Sequence, residues 1–281
     1  MFRLLFASSV LAAAGLSAIP DPVSPDPESL RPIDAVDTVF IADMTWMEIR
    51  DAMRAGKKTV IVATGGIEQN GPYLVTGKHN VVLRGTTEAI ARKLGNALVA
   101  PIVPFVPEGD IEPPSGHMKY PGTVSVTEDT YQALLTDICR SFKTHGFEHI
   151  VLIGDSGGNQ TGMKAVSEKL DQQWADSSTR IHFVPAYYDF PSVAAWLTDQ
   201  GIHQTPEGLH DDFAMTAMMM AVDPDSVRAQ QRIRANRFRI NGVNLAPIDS
   251  TVKWGHRIIA FRAEATVKAI RKLIGDRPES P

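Results

Sequence analysis

Apolar and polar positions along the chain switch between two periods, and the switches predict alternating strands and helices. Residues 58–64 (Lys-Thr-Val-Ile-Val-Ala-Thr) and 149–153 are short β-branched or apolar runs of the kind a buried parallel strand shows. Residues 98–106 and 180–186 are expected to form further strands, the first interrupted by prolines. Helical patterns lie between them. Thr45-Trp46-Met47-Glu48 is a capping box, and the helix it starts can close at Gly56. A second helix is expected near residues 81–94. Thr127 caps a third, with Leu134, Leu135, Ile138 and Phe142 on one face and Gly146 at its end. Residues 162–174 and 255–274 complete the set. Strands alternating with helices predict an α/β class with a mostly parallel sheet. Ligands of such sheets sit beyond the carboxyl ends of the strands. The loops after Thr64, Val106, Ile153 and Ala186 are therefore expected to converge on a site.

The first residues follow a different pattern. Met1-Phe2-Arg3 is a short positive start, residues 4–16 are almost wholly apolar, and Ser17-Ala18 offers a small-residue cleavage point. This three-part pattern predicts a signal peptide at 1–18 and hence a periplasmic or secreted bacterial protein. Five prolines follow within residues 19–33, so 19–37 reads as an extended linker and 38–281 as a single domain. No later apolar run approaches membrane length. Of the 281 residues 43% are hydrophobic, which excludes a disordered chain. A formal net charge of −4 argues against nucleic acid or an anionic membrane as the main partner. The single cysteine, Cys139, excludes an intrachain disulfide and a cysteine-based zinc cluster.

Three constellations carry candidate chemistry. Gly65-Gly66-Ile67-Glu68-Gln69-Asn70-Gly71-Pro72-Tyr73 continues to Gly77-Lys78-His79-Asn80, which places Glu68 and His79, a carboxylate and an imidazole, on one expected loop. That donor pair suits zinc or manganese. His117 sits in the Gly/Pro-rich stretch Ser115-Gly116-His117-Met118-Lys119-Tyr120-Pro121-Gly122, where it can position a substrate or move a proton. Gly154-Asp155-Ser156-Gly157-Gly158 matches a nucleophile elbow between strand and helix. Ser156 as a nucleophile needs a later base such as His203, His210 or His256. Alternatively the turn only presents backbone amides at a helix start.

Taken together and in order, these blocks resemble the creatininase (creatinine amidohydrolase) family. The counterparts of its motifs are residues 67–74 with His79, residues 116–123, residues 154–159, and residues 210–217 (His-Asp-Asp-Phe-Ala-Met-Thr-Ala). The resemblance implies a three-layer α/β/α sandwich, a homohexamer, and a two-metal site that hydrolyses cyclic or linear amides. The ligand set departs from the family pattern. Asn70 stands where a ligand His is usual, His79 where an Asp bridges two metals, and Ser156 where another His sits; Phe213 and Met215 replace two Glu. An imidazole cannot bridge two ions as a carboxylate does, so one divalent ion, zinc or manganese, is expected on Glu68, His79, His210 and Asp212. His117, Asp155 and Ser156 are the expected catalytic residues, with Asn70, Tyr73 and Asn159 facing a small-molecule amide. Three functions stay open at this level: a metal-dependent amidohydrolase, a metal-free serine hydrolase using Ser156, and a non-catalytic binding or structural descendant.

Overall fold

The computed structural model describes residues 25–206 and 210–275; the expected signal peptide at 1–18 lies outside them. The chain divides into two units at Asp34/Ala35. The described part of the first, residues 25–34, carries turns and no helix or strand, in keeping with its prolines. Among the described residues, every helix and strand belongs to the second unit.

Four parallel strands form the central sheet: β1 (Thr59–Thr64), β2 (Ala97–Val99), β3 (His149–Gly154) and β4 (Arg180–Phe183), in the order β2-β1-β3-β4. Side chains alternate across a strand, and both faces are covered here, so the inner residues of β1 (Val60 to Ala63) and β3 (Ile150 to Ile153) are all apolar and buried. Val60, Val62, Ile150 and Leu152 face helices α3 (Glu128–Thr144) and α4 (Asn159–Gln173), with α1 (Trp46–Arg54) beside them. Ile61, Ala63, Val151 and Ile153 face α2 (Lys78–Leu94) and α8 (Ile248–Ile274). The result is the expected three-layer α/β/α sandwich. Outside α2 and α8 lies a further layer: α5 (Phe190–Asp199), α6 (Phe213–Val222), α7 (Ala229–Arg234) and the antiparallel hairpin β5 (Arg239–Ile240) and β6 (Val243–Asn244). None of the described helices is long and apolar enough to cross a membrane.

Several boundaries differ from the sequence expectation, each for a local reason. Strand β2 stops at Val99 because Pro101, Pro104 and Pro107 withhold ladder donors, and single bridges at Val103 and Val106 replace a longer strand. Strand β4 stops at Phe183, before Pro185. Helix α2 begins at Lys78, so His79 belongs to its first turn and not to a loop. Leu134 is 39% exposed, and the buried face of α3 is Tyr131, Leu135 and Cys139. Burial pushes the Cys139 thiol up to about 12, which leaves it protonated and unreactive. Trp174 is buried whereas Trp46 is about half exposed.

Helices α6 and α8 cross closely because position 255 is a glycine: a Cβ there would lie 2.0 Å from the Ala217 carbonyl oxygen. Backbone cannot swing aside as a flexible side chain does. Gly255→Val is therefore expected to lower stability by about 2–3 kcal/mol through overpacking. Urea unfolding of the variant measures this, and an unchanged midpoint would show that the two helices separate freely.

Candidate functional site

Polar side chains shape the β1 loop before any chemistry arises. Asn159, at the start of α4, donates from Nδ2 to the Thr64 carbonyl (3.0 Å), the Thr64 hydroxyl (2.9 Å) and the Gly65 carbonyl (2.8 Å). Asn70 donates to the carbonyls of Glu68 (2.9 Å) and Val75 (3.1 Å), folding the loop back on itself. The Glu68 amide adds a 3.0 Å bond to the Thr76 carbonyl. These bonds aim the Glu68 carboxylate inward, where its residue is 1% exposed.

Glu68 is the hub of the site. His79 Nε2 lies 2.7 Å from its Oε1, His210 Nε2 lies 2.6 Å from the same atom, and Lys78 Nζ lies 3.3 Å away. Lys78 also donates to the His210 carbonyl at 2.9 Å. On the other oxygen, Oε2, His117 Nε2 stands at 3.3 Å, and the His117 and His210 rings are 4.3 Å apart. The second nitrogen of His79, Nδ1, meets Asp155 Oδ2 at 2.8 Å, and Asp155 Oδ1 accepts from Arg262 of α8 at 2.8 Å. Arg262 in turn donates to the Tyr187 carbonyl at 3.0 Å and lies over the Tyr187 and Phe190 rings. A cavity of about 370 Å³ opens beside this network, and Lys78, His79, Asp155, Ser156, Tyr188, Phe190 and His210 are among its lining residues.

Burial alone would raise the Glu68 carboxyl, but hydrogen bonds from His210 and His79, with the Lys78 charge, hold it well below the usual range. Burial likewise opposes a charged His79, yet Asp155 and Glu68 outweigh it and raise its pKa. Both ring nitrogens face carboxylates, which is the pattern of an imidazolium. Asp155 resists the upward push of burial because Arg262 and His79 lower it. His117 is shifted down, chiefly by burial, and is a neutral imidazole. Glu108 is the exception among the acids: burial, then the Glu68 charge and a hydrogen bond to it, push its carboxyl up to about 9. It is a neutral acid packed over Gly66, with Oε1 buried and lacking a hydrogen-bond partner.

Of the four expected metal ligands, three come together. Ligand atoms of Glu68, His79 and His210 all lie within 4.8 Å of one another. The donor set, one carboxylate and two imidazoles, is one that zinc or manganese accepts. Asp155 on the far nitrogen of His79 is the outer partner that orients such a ligand. The residues therefore fit one divalent ion. Asp212 does not join them: it caps α6, its Oδ1 accepting from the Met215 amide at 2.7 Å. It lines the same cavity as His79 and His210. Ser156 lines the cavity, but among the described residues no histidine is hydrogen-bonded to its hydroxyl; His256 lines a separate groove with Arg84 and Glu88. The geometry required of a serine nucleophile is absent there. Asn70 and Asn159, expected to contact substrate, hold the loop instead, and Tyr73 packs under the Arg232 guanidinium.

Lys78, Glu108 and Arg262 complete the site and were not expected from the sequence. One signal was available for Arg262: it sits on the apolar stripe of α8 with Ile258, Ile259 and Val267, where a charge demands a buried partner.

Comparison with known proteins fits this geometry. Residues 42–270 match the family model for creatininase, creatinine amidohydrolase, and the chain belongs to that family. Creatinine amidohydrolase of Pseudomonas putida is 25% identical over 201 residues, covering 68% of this chain and 74% of that protein. A 3-dehydro-scyllo-inosose hydrolase of Thermotoga maritima is 26% identical over 119 residues, 42% of this chain and 36% of that protein. A creatininase crystal structure superposes with a TM-score of 0.63 at 21% identity, covering 85% of this chain and 98% of that one. A manganese creatininase gives 0.62 at 20% identity, over 84% of this chain and 98% of that one. A mutant creatininase of Zn–Zn type gives 0.61 at 20% identity, over 85% and 99%. The structural likenesses establish the shared fold.

Two predictions follow from the charges. Removing Arg262 leaves the buried Asp155 carboxylate with His79 alone, so Arg262→Met is expected to cost about 3 kcal/mol in urea unfolding. A loss under about 1 kcal/mol would mean that Asp155 does not depend on it. Glu108 sets a pH dependence. Its folded pKa is raised to about 9, so the fold holds a proton that the unfolded chain releases above about pH 4.3. Its contribution is therefore fully present below that pH and is lost as pH rises through about 9. Glu108→Gln is expected to flatten the fall in the urea midpoint between about pH 5 and about pH 9, and an unchanged slope would overturn the assignment.

Proposed function

We propose that this chain is a hydrolase of amide-type C–N bonds in small cyclic or linear molecules, working with one zinc or manganese ion on Glu68, His79 and His210. The observation that carries this reading is the convergence of those three ligand atoms beside a cavity. A bound ion would supply Lewis acidity toward a carbonyl and a water acidic enough to be a nucleophile at neutral pH.

The chain's own residues account for the rest. Asp155 accepts a hydrogen bond from His79 Nδ1–H and so directs Nε2 at the cluster. Arg262 keeps Asp155 ionised and the pair in place. His117 Nδ1 lies 3.4 Å from the Gln69 side-chain amide, a donor, so its proton resides on Nε2, which faces Glu68 Oε2. A neutral, partly exposed imidazole beside the reacting centre can relay a proton, accepting one released by the attacking water as it gives one to the leaving nitrogen. Tyr188 and Phe190 give the cavity an aromatic wall, and its volume of about 370 Å³ suits a small molecule.

Purified protein loaded with zinc or manganese and then desalted is expected to retain about one equivalent of metal per chain, and Glu68→Gln to retain less than about a tenth. Elemental analysis measures both, and wild-type protein below about a tenth of an equivalent would sink the reading. Active protein should release amine from members of a small-amide panel, with His117→Ala lowering the rate about 100-fold or more at unchanged metal content. Export is proposed from the sequence of residues 1–18 alone. A mature N-terminus near Ile19 in an exporting bacterial host supports it, and retained Met1 overturns it.

A further inference from the structure

Three nitrogens converge on one oxygen atom, Glu68 Oε1, and only two of them can bind a metal. His79 Nε2 and His210 Nε2 are at 2.7 and 2.6 Å; the third is Lys78 Nζ at 3.3 Å, an ammonium with no lone pair to offer. Lys78 is 2% exposed and is the first residue of α2. The positive end of the helix dipole makes that a poor place for a cation, and burying an ammonium at all needs an anionic partner. Its placement serves packing no better than an uncharged chain of the same length would.

We propose that Lys78 is the resident second cation of this centre: its ammonium shares the Glu68 carboxylate with the ion and limits the site to a single divalent metal. The inference rests on the metal reading of the cluster. One divalent ion and Lys78 already bring three positive charges to Glu68, which carries one negative charge, while Asp155 is neutralised by Arg262. A second divalent ion would add two more charges to the same low-dielectric pocket. The same ammonium donates to the His210 carbonyl at 2.9 Å. It thereby fixes the backbone of the most exposed of the three ligands, whose side chain is 41% accessible. Lys78 also lines the cavity, so its charge faces any carbonyl compound that enters.

Calorimetric Zn²⁺ titration of chelator-stripped full-length protein, with elemental analysis after desalting, tests this. Wild-type protein is expected to saturate at one equivalent. Lys78→Gln keeps a donor for the His210 carbonyl and removes the charge; it is expected to bind the first ion at least about tenfold more tightly or to take up a second. Lys78→Arg, which keeps the charge, is expected to stay within about threefold of wild type, and it serves as the second variant where Lys78→Gln fails to fold. Two equivalents on wild type, Lys78→Gln binding no more tightly and no more metal than wild type, or Lys78→Arg taking up a second equivalent would each overturn the proposal. No binding by wild type or any variant would instead overturn the metal reading itself, and this inference with it.

Discussion

A carboxylate buried as completely as Asp155 persists because two cations meet it, and they come from distant parts of the chain. Arg262 reaches it from the last helix and His79 from the first turn of α2, each at 2.8 Å. Desolvating each of these ions costs several kcal/mol, and only close pairing offsets it. The arrangement therefore fixes more than a side chain. Arg262 can meet Asp155 only if α8 lies across the sheet at the depth observed, and its bond to the Tyr187 carbonyl ties down the segment after β4. The Tyr187 hydroxyl, 2.8 Å from the Thr86 hydroxyl, returns the connection to α2. Three elements on one face of the sheet are thus registered by one buried charge.

A network this costly is hard to explain as stability alone, since an apolar replacement of the same volume is often as good or better. Its other effect is orientation. With Nδ1 held by Asp155, His79 has one nitrogen left, and that nitrogen points at Glu68 beside His210. Glu68 is in turn aimed by loop bonds from Asn70 and backed by the neutral Glu108. Rigid support of this kind is what a site needs when ligand atoms must already lie close together before anything binds.

Strands β1 and β3 and helices α1 and α3 were legible in the sequence because one physical signal dominates each: the inner run of a doubly covered strand is apolar, and a capping box or an N-cap threonine marks a helix start. Helix α6 was not, because Phe213–Val222 is buried almost all round and so lacks the polar face that reveals a helical period. The start of α2 was misplaced for the opposite reason. Lys78, His79 and Asn80 read as loop residues, yet their polar groups are satisfied inside the protein by Glu68, Asp155 and the Gly66 backbone. Glu68, His79 and His210 were legible as residue types in ordered motifs. Lys78, Glu108 and Arg262 were missed because charged side chains are ordinarily solvated, and the partners that bury them are distant in sequence.

The departures from the family motif form a pattern and not a scatter. Where the motif sets an acid, this chain has His79 on α2; where it sets an imidazole on the turn after β3, this chain has Ser156, with the acid Asp155 one residue before it. Here the imidazole stands on α2 and the carboxylate on the turn after β3, and the two meet at 2.8 Å. An acid at position 79 would present two oxygens able to span two ions, whereas His79 presents a single nitrogen that serves one. With a buried ammonium already on Glu68 Oε1, the loss of a bridging acid and the presence of Lys78 are physically consistent: each alone disfavours a second ion, and together they leave a centre whose donors suit one.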